Sequence, residues 1–250
     1  AQSPWSRPRS PPAPSTAQRR AVCSGRSCNR ARIEGFDDKY YFGRRPTGVY
    51  IPRFRNIYDD KRDYLRGFGY QGGASRQGWG RNVAELAIGG DLKDALTEPG
   101  NWNIGMTAFG EMLPYHENKI TLNKNVKDKW GLPVLDMDVE IKQNEWNMRK
   151  DMMADAKEML EAAGGKDINV FDSGYEVGMG IHEMGTARMG RDPKTSVLNK
   201  NNQVWDALNV FVTDGACMTS ASCVNPSLTY MALTARAADF AVNELKKGNL

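Results

Sequence analysis

Two stretches of this chain repeat apolar residues at steps of three and four. Over 145–163 the stripe is Met148, Met152, Ala156, Met159, Leu160 and Ala163, and Gly164-Gly165 stops it. Over 226–247 it is Leu228, Met231, Ala235, Ala238, Val242 and Leu245. That spacing collects the apolar side chains on one helix face, so both stretches are predicted helical. Pro226 takes the first helical position of the second stretch, where its missing N–H removes no bond. The methionine stripe reads as core packing. Shorter apolar runs at 49–55, 104–113, 119–123, 132–141 and 209–213 read as strands. Pro114 and Asn118 lie in the turn between the second and third of these, and Gly131 turns the chain before the fourth. Strands joined this briefly predict an antiparallel sheet, placed as a wall over a ligand. No repeat of 20 to 50 residues is visible.

Composition changes the picture at the N-terminal end. Residues 1–32 are rich in Pro, Ser and Arg, carry seven Arg, and have no Lys and no acid. No periodicity runs through them, so disorder is expected there. A transit peptide is the alternative, against which the proline density argues. A secretory signal is excluded because no apolar core follows the charges. A third reading is that the segment is foreign to the native coding sequence. The chain's net charge of +4 comes from this segment, because the remainder holds 27 basic against 30 acidic residues. The body therefore offers no basic face for nucleic acid. No apolar run reaches the roughly 18 residues of a membrane span.

Gly67-Phe68-Gly69-Tyr70-Gln71-Gly72 spells the dinucleotide-binding fingerprint. That fingerprint works only between a buried strand and a helix. Charged residues precede it and no helical pattern follows it, so it is expected to be a flexible loop. No other stretch supplies the first βαβ turn of a nucleotide-binding domain.

Few residues carry candidate chemistry. Of four Cys, Cys23 and Cys28 lie in the leader, and Cys217 and Cys223 read as small buried packing residues, with a local disulfide as the weaker alternative. With two His no zinc-type cluster is evident. His116 sits in a predicted turn and reads as solvated. His182 follows Gly178-Met179-Gly180, whose glycines would let the backbone approach a flat ligand, and Glu183 is left without a role. Asn225 precedes Pro226 and reads either as a helix N-cap or as an amide facing a substrate oxygen. Asp214-Gly215 closes a strand, where an Asx turn and a cofactor contact are equally good local readings.

Taken together, three segments sharpen these readings. They are His182-Glu183-Met184-Gly185-Thr186-Ala187-Arg188-Met189-Gly190, Val212-Thr213-Asp214-Gly215-Ala216 and Asn225-Pro226-Ser227-Leu228-Thr229. Their order and wording resemble the C-terminal end of the glucose-methanol-choline (GMC) flavin oxidoreductases. Gly110-Glu111-Met112-Leu113-Pro114 and Asn118-Lys119-Ile120-Thr121-Leu122 resemble that family's substrate-sheet strands. The version is most similar to bacterial sugar and gluconate dehydrogenase flavoproteins.

The resemblance implies an α/β fold. An antiparallel substrate-binding sheet backed by helices would occupy 80–175, after an irregular segment at 33–79. The final segment, 176–250, would complete an FAD-binding domain. It implies FAD as cofactor and oxidation of an alcohol, sugar or sugar acid at its CH–OH group, by hydride transfer to flavin N5. His182 would be the base and Asn225 would hold the alcohol oxygen. Asp214, Gly215, Pro226 and Ser227 would face the cofactor. It further implies a cytochrome as electron acceptor and a periplasmic or secreted location. Family members are about twice this length and begin with a Gly-rich FAD-phosphate loop that this sequence lacks. The alternative expectation is therefore an inactive fragment, or a subunit that needs a partner carrying that loop.

Overall fold

The computed structural model describes residues 29–34, 48–76, 89–97, 101–174, 177–178, 180 and 182–250. The expected leader up to residue 28, with Cys23 and Cys28, and also Met179, lie outside the described residues.

Five strands form one antiparallel sheet: β1 (Asn29–Ile33), β2 (Val49–Ile51), β3 (Phe68–Arg76), β4 (Trp102–Gly110) and β7 (Lys166–Asn169). Their spatial order is β2-β3-β4-β1-β7. A short helix, α1 (Gly90–Thr97), precedes β4. The long helix α2 (Gln143–Ala162) packs on one face of the sheet.

That face is apolar because side chains alternate along a strand. Phe68 and Tyr70 of β3, Met106 and Ala108 of β4 and Ala31 of β1 meet Met148, Met152, Ala156 and Leu160 of α2. Each fully buried side chain of this size contributes roughly 1.5–3 kcal/mol. Phe68 and Tyr70 meet edge to face, with ring centroids 5.6 Å apart. A Cβ at Gly72 would lie 2.2 Å from the Gly105 carbonyl oxygen, so β3 and β4 approach more closely there than a side chain permits.

Polar groups at the core edge are paired. Tyr70 donates to the Met152 carbonyl at 2.7 Å, and Tyr64 to Asp151 at 2.5 Å. Arg55 grips the buried Asp155 with two nitrogens, Nε at 2.8 Å and Nη2. The buried Glu145 accepts from Leu113 N at 3.0 Å, Tyr115 Oη at 2.9 Å and Lys142 N at 3.2 Å. It thereby ties the chain after β4 to the start of α2.

The strands β5 (Lys119–Lys127) and β6 (Pro133–Asp138) pair only with each other, as an exposed hairpin. Asn118 closes its base, donating to the Glu140 carbonyl and accepting from Glu140 N. A second small hairpin, β8 (Gln203–Val204) with β9 (Ala207–Phe211), precedes the last helix, α3 (Ser227–Lys246).

Several expectations are corrected. The three strands expected to share a sheet divide between two, because Glu111 to Leu113 turn toward α2 before the hairpin begins. Residues 67–72, expected to be a loop, form the start of β3, because Phe68 and Tyr70 supply a period-2 apolar face. They run within a strand that lies between β2 and β4, not in a turn that opens a helix, so they are no phosphate loop. The segment 33–79, expected to be irregular apart from a strand at 49–55, contributes β2 within that expected strand and, unexpectedly, β3. Residues 29–32, expected in the disordered leader, form β1 with Ile33 through pairing to β4. The sheet therefore begins far earlier than residue 80. Among the described residues no helix is long and apolar enough to cross a membrane.

Candidate active site

The loop from Cys217 to Asn225 lies over the sheet face opposite α2. That face is polar: Tyr50 of β2, Gln71 of β3 and Thr107 of β4 stand in register across it. Three side-chain bonds hold the loop there. Ser220 donates to the buried Glu111 carboxylate, Tyr50 Oη to the Cys223 carbonyl at 3.4 Å, and Asn225 Nδ2 to Gln71 Oε1 at 3.4 Å.

The segment containing His182 reaches the same place by another route. Its backbone is laced to the short 3-10 turn Gly215–Cys217. Gly185 N donates to the Gly215 carbonyl at 3.3 Å, Ala187 N to Ala216 at 3.0 Å and Met189 N to Cys217 at 2.9 Å. Gly215 is buried beneath it, and a Cβ there would meet the Glu183 carbonyl at 2.7 Å. Glu183, left unassigned from sequence, accepts from Gly180 N at 3.1 Å and so shapes the approach to His182.

The result is a contact between residues 43 apart in sequence: His182 Nε2 lies 3.2 Å from Asn225 Oδ1. Both predicted catalytic side chains meet. His182 is half-buried and Asn225 exposed, so the pair opens to solvent. Pro226 follows at the N-cap position and Ser227 is the first residue of α3.

This overturns the N-cap reading of Asn225 and the placing of Pro226 at the first helical position. The N-cap is Pro226, and no side chain caps the helix by hydrogen bond. The Asn225 amide instead serves His182 and Gln71. The start of α3 thus presents its first-turn N–H groups and positive partial charge beside the pair.

Asp214 caps the 3-10 turn by accepting from Ala216 N at 3.0 Å, the Asx arrangement. The strand before it, β9, belongs to an antiparallel hairpin, so the rule for parallel strand ends does not apply to it. Cys217 and Cys223 are free and buried, as expected of packing residues. Burial pushes the Cys217 thiol up, which keeps it protonated and unreactive. His116 is exposed in its turn. Gln71, Tyr50, Glu111 and Ser220 were not anticipated from the sequence. The one signal for Gln71 was its place among residues of apolar-polar alternation, hidden by the glycines around it.

Residues 114–234 match the GMC oxidoreductase family. The chain carries a GMC oxidoreductase C-terminal domain. Over 218 residues it is 34% identical to the 2-methyl-1,2-propanediol dehydrogenase of Mycolicibacterium austroafricanum, covering 84% of this chain and 38% of that protein. It is 32% identical to the gluconate 2-dehydrogenase flavoprotein of Pantoea cypripedii over 58% of this chain and 25% of the relative. It is 30% identical to the fructose dehydrogenase large subunit of Gluconobacter japonicus over 72% of this chain and 33% of the relative. The chain thus spans well under half the length of these relatives. Among solved structures, a variant Aspergillus oryzae formate oxidase aligns with TM-score 0.45 and 14% identity, over 72% of this chain and 32% of that one. FAD is the cofactor of this family. The open, uncapped N-terminus of α3 beside His182 and Asn225 fits a flat ring that gains negative charge on reduction.

Proposed function

We propose that this chain carries the substrate side of an FAD-dependent oxidoreductase acting on the CH–OH group of an alcohol, sugar or sugar acid. The observation that supports it is the meeting of His182 Nε2 and Asn225 Oδ1 at 3.2 Å beside the start of α3. FAD, when bound, supplies the acceptor for a hydride. Ser227 and the first turn of α3 would hold its ring from the helix end, with Pro226 beside them. Asp214 and Gly215 would lie nearby through the turn that supports His182.

The chain's own residues handle the oxygen. The alcohol enters between His182 and Asn225. His182 takes the hydroxyl proton at Nε2, the usual task of an imidazole near neutral pH. Asn225 donates from Nδ2 to the same oxygen and fixes the direction of the C–H bond. The polar sheet face behind them, with Tyr50, Gln71 and Thr107, suits a substrate rich in hydroxyls. By analogy with the relatives, a cytochrome partner is the proposed electron acceptor.

The test is stopped-flow absorbance of flavin reduction in an FAD-loaded protein containing this chain. His182→Ala is expected to slow reduction at saturating substrate by roughly 10²- to 10⁴-fold. An unchanged rate would remove His182 from the chemistry.

A second reading is favoured by the exposed apolar side of α3. In it the chain is a fragment inactive alone, or a subunit that gains activity from a partner carrying the FAD-phosphate loop. Flavin absorbance in the purified chain decides between the readings, since a chain sufficient by itself retains FAD.

A further inference from the structure

His182, Asn225 and Gln71 form a continuous line of hydrogen bonds from the loop to the sheet. The Asn225 oxygen accepts only, so in this arrangement His182 Nε2 is the donor. At the other end Asn225 Nδ2 donates to Gln71 Oε1 at 3.4 Å. A ring that holds its proton at Nε2 is in the wrong state to take one there from an alcohol.

Turning both amides over reverses every bond in the line. Asn225 Nδ2 would then donate to a bare Nε2, and Gln71 Nε2 would donate to Asn225 Oδ1. The number of bonds is the same in both arrangements. Only a side chain with a donor and an acceptor at its tip can follow Asn225 through this change. Glutamate offers acceptors alone and lysine donors alone. Asn225 is exposed and Gln71 half-buried, so neither amide is locked by packing. Gln71 is itself fixed in place by β3, in register with Tyr50 and Thr107.

We propose that Gln71 is a positioning residue that governs which end of the Asn225 amide faces His182, and thereby which ring nitrogen holds the proton. This rests on the His182–Asn225 pair of the function proposed above. With both amides turned, Nε2 presents a lone pair that an entering alcohol O–H takes over from Asn225 Nδ2, and Nδ2 is then aimed at the alcohol oxygen. Gln71 thus makes the base-competent arrangement available without the loss of a hydrogen bond.

The experiment needs no cofactor. The chain has two histidines, so imidazole ¹⁵N–¹H correlation spectra of the labelled chain contain two rings, and His116→Gln assigns them. Spectra are taken in mildly alkaline buffer. Gln71→Glu is expected to keep His182 as the Nε2–H tautomer. Gln71→Lys is expected to draw the Asn225 oxygen to itself and move His182 toward Nδ1–H. The tautomer ratios of the two variants should differ by about fivefold or more, the effect of one hydrogen bond. Equal ratios, with Asn225→Ala still changing the ratio, would overturn the role of Gln71 and leave the His182–Asn225 pair standing. A ratio that ignores Asn225→Ala as well would sink the pair and the proposed function with it. If either charged variant loses its folded amide dispersion, Gln71→Met replaces it. A mixed tautomer there supports the proposal, and a ratio identical to the unsubstituted chain overturns it.

Discussion

The helices α2 and α3 are each twenty residues long and carry similar apolar stripes, yet they end in opposite surroundings. On α2, Met148, Met152, Ala156 and Leu160 are at most 2% exposed. On α3, Leu228 is 79% exposed, Met231 67% and Leu245 63%, and Ala237 alone is buried. Periodicity therefore says which face of a helix is apolar and nothing about what covers it. α2 is covered by a five-stranded sheet. α3 touches the described residues through scattered contacts, among them Arg236 with Asn202 at 2.9 Å, Phe240 with Phe211 and Tyr230 with Met184. The stability of the chain should accordingly reside around α2, and its chemistry at the open start of α3.

The largest expected effect lies at the ion pair under α2. Asp155 has 5% of its side chain exposed and Arg55 21%. Arg55→Leu leaves that carboxylate buried and unpaired, and should cost about 3–5 kcal/mol in urea unfolding. Adding Asp155→Leu should recover much of the loss, because the stranded charge is gone. A cost under about 0.5 kcal/mol for Arg55→Leu, typical of an exposed pair, would break the claim that this side holds the fold together.

Next in size is the core itself. Met152→Ala removes a buried side chain whose tip lies against Gly110 of β4 and should cost about 2–4 kcal/mol.

The same contrast has a pH counterpart. Tyr64, Tyr70 and Tyr115 all meet α2 or its start, through Asp151, the Met152 carbonyl and Glu145. Burial first, then neighbouring carboxylates, pushes each phenol above its ordinary value. An acid raised on folding contributes stability that is complete below the unfolded value of about 10 and is lost as pH rises beyond it. Alkaline titration followed at 295 nm should therefore show these phenols ionising late, together with loss of helical circular dichroism. Ionisation of all nine tyrosines in one early step, with the helix signal intact, would contradict this.

The helices and the proposed catalytic pair were legible in the sequence for different reasons. The stripes of α2 and α3 are local patterns, and both helices lie within two residues of the expected bounds at each end. His182 and Asn225 were legible only through family wording, since no local rule joins residues 43 apart. β3 was misread as a flexible loop because its glycines interrupt the apolar alternation. What decides the matter is non-local: Gly72 is required by the close approach of Gly105, which sequence order does not reveal. The helix α1 had no visible stripe, and local sequence left Asn225 open between a cap and a substrate-facing amide, because an asparagine before proline looks the same whether its amide turns toward the helix or away. Gln71 and Glu111 carry their roles through contacts with a loop well over a hundred residues later.

The smallest expected effect is the sharpest probe of the comparison. Leu228 and Met231 stand on the exposed stripe of α3. Glutamine at both positions keeps helix propensity nearly unchanged and removes apolar surface from water. In the chain alone, Leu228→Gln with Met231→Gln should shift unfolding by no more than about 0.5 kcal/mol, as for ordinary surface sites. Fluorescence of an apolar dye should fall, because the contiguous patch that binds it is broken. A loss of about 2 kcal/mol would mean that these side chains are buried in solution. The two helices would then be alike in role as well as in pattern, and the asymmetry between a packed α2 and an open α3 would fall.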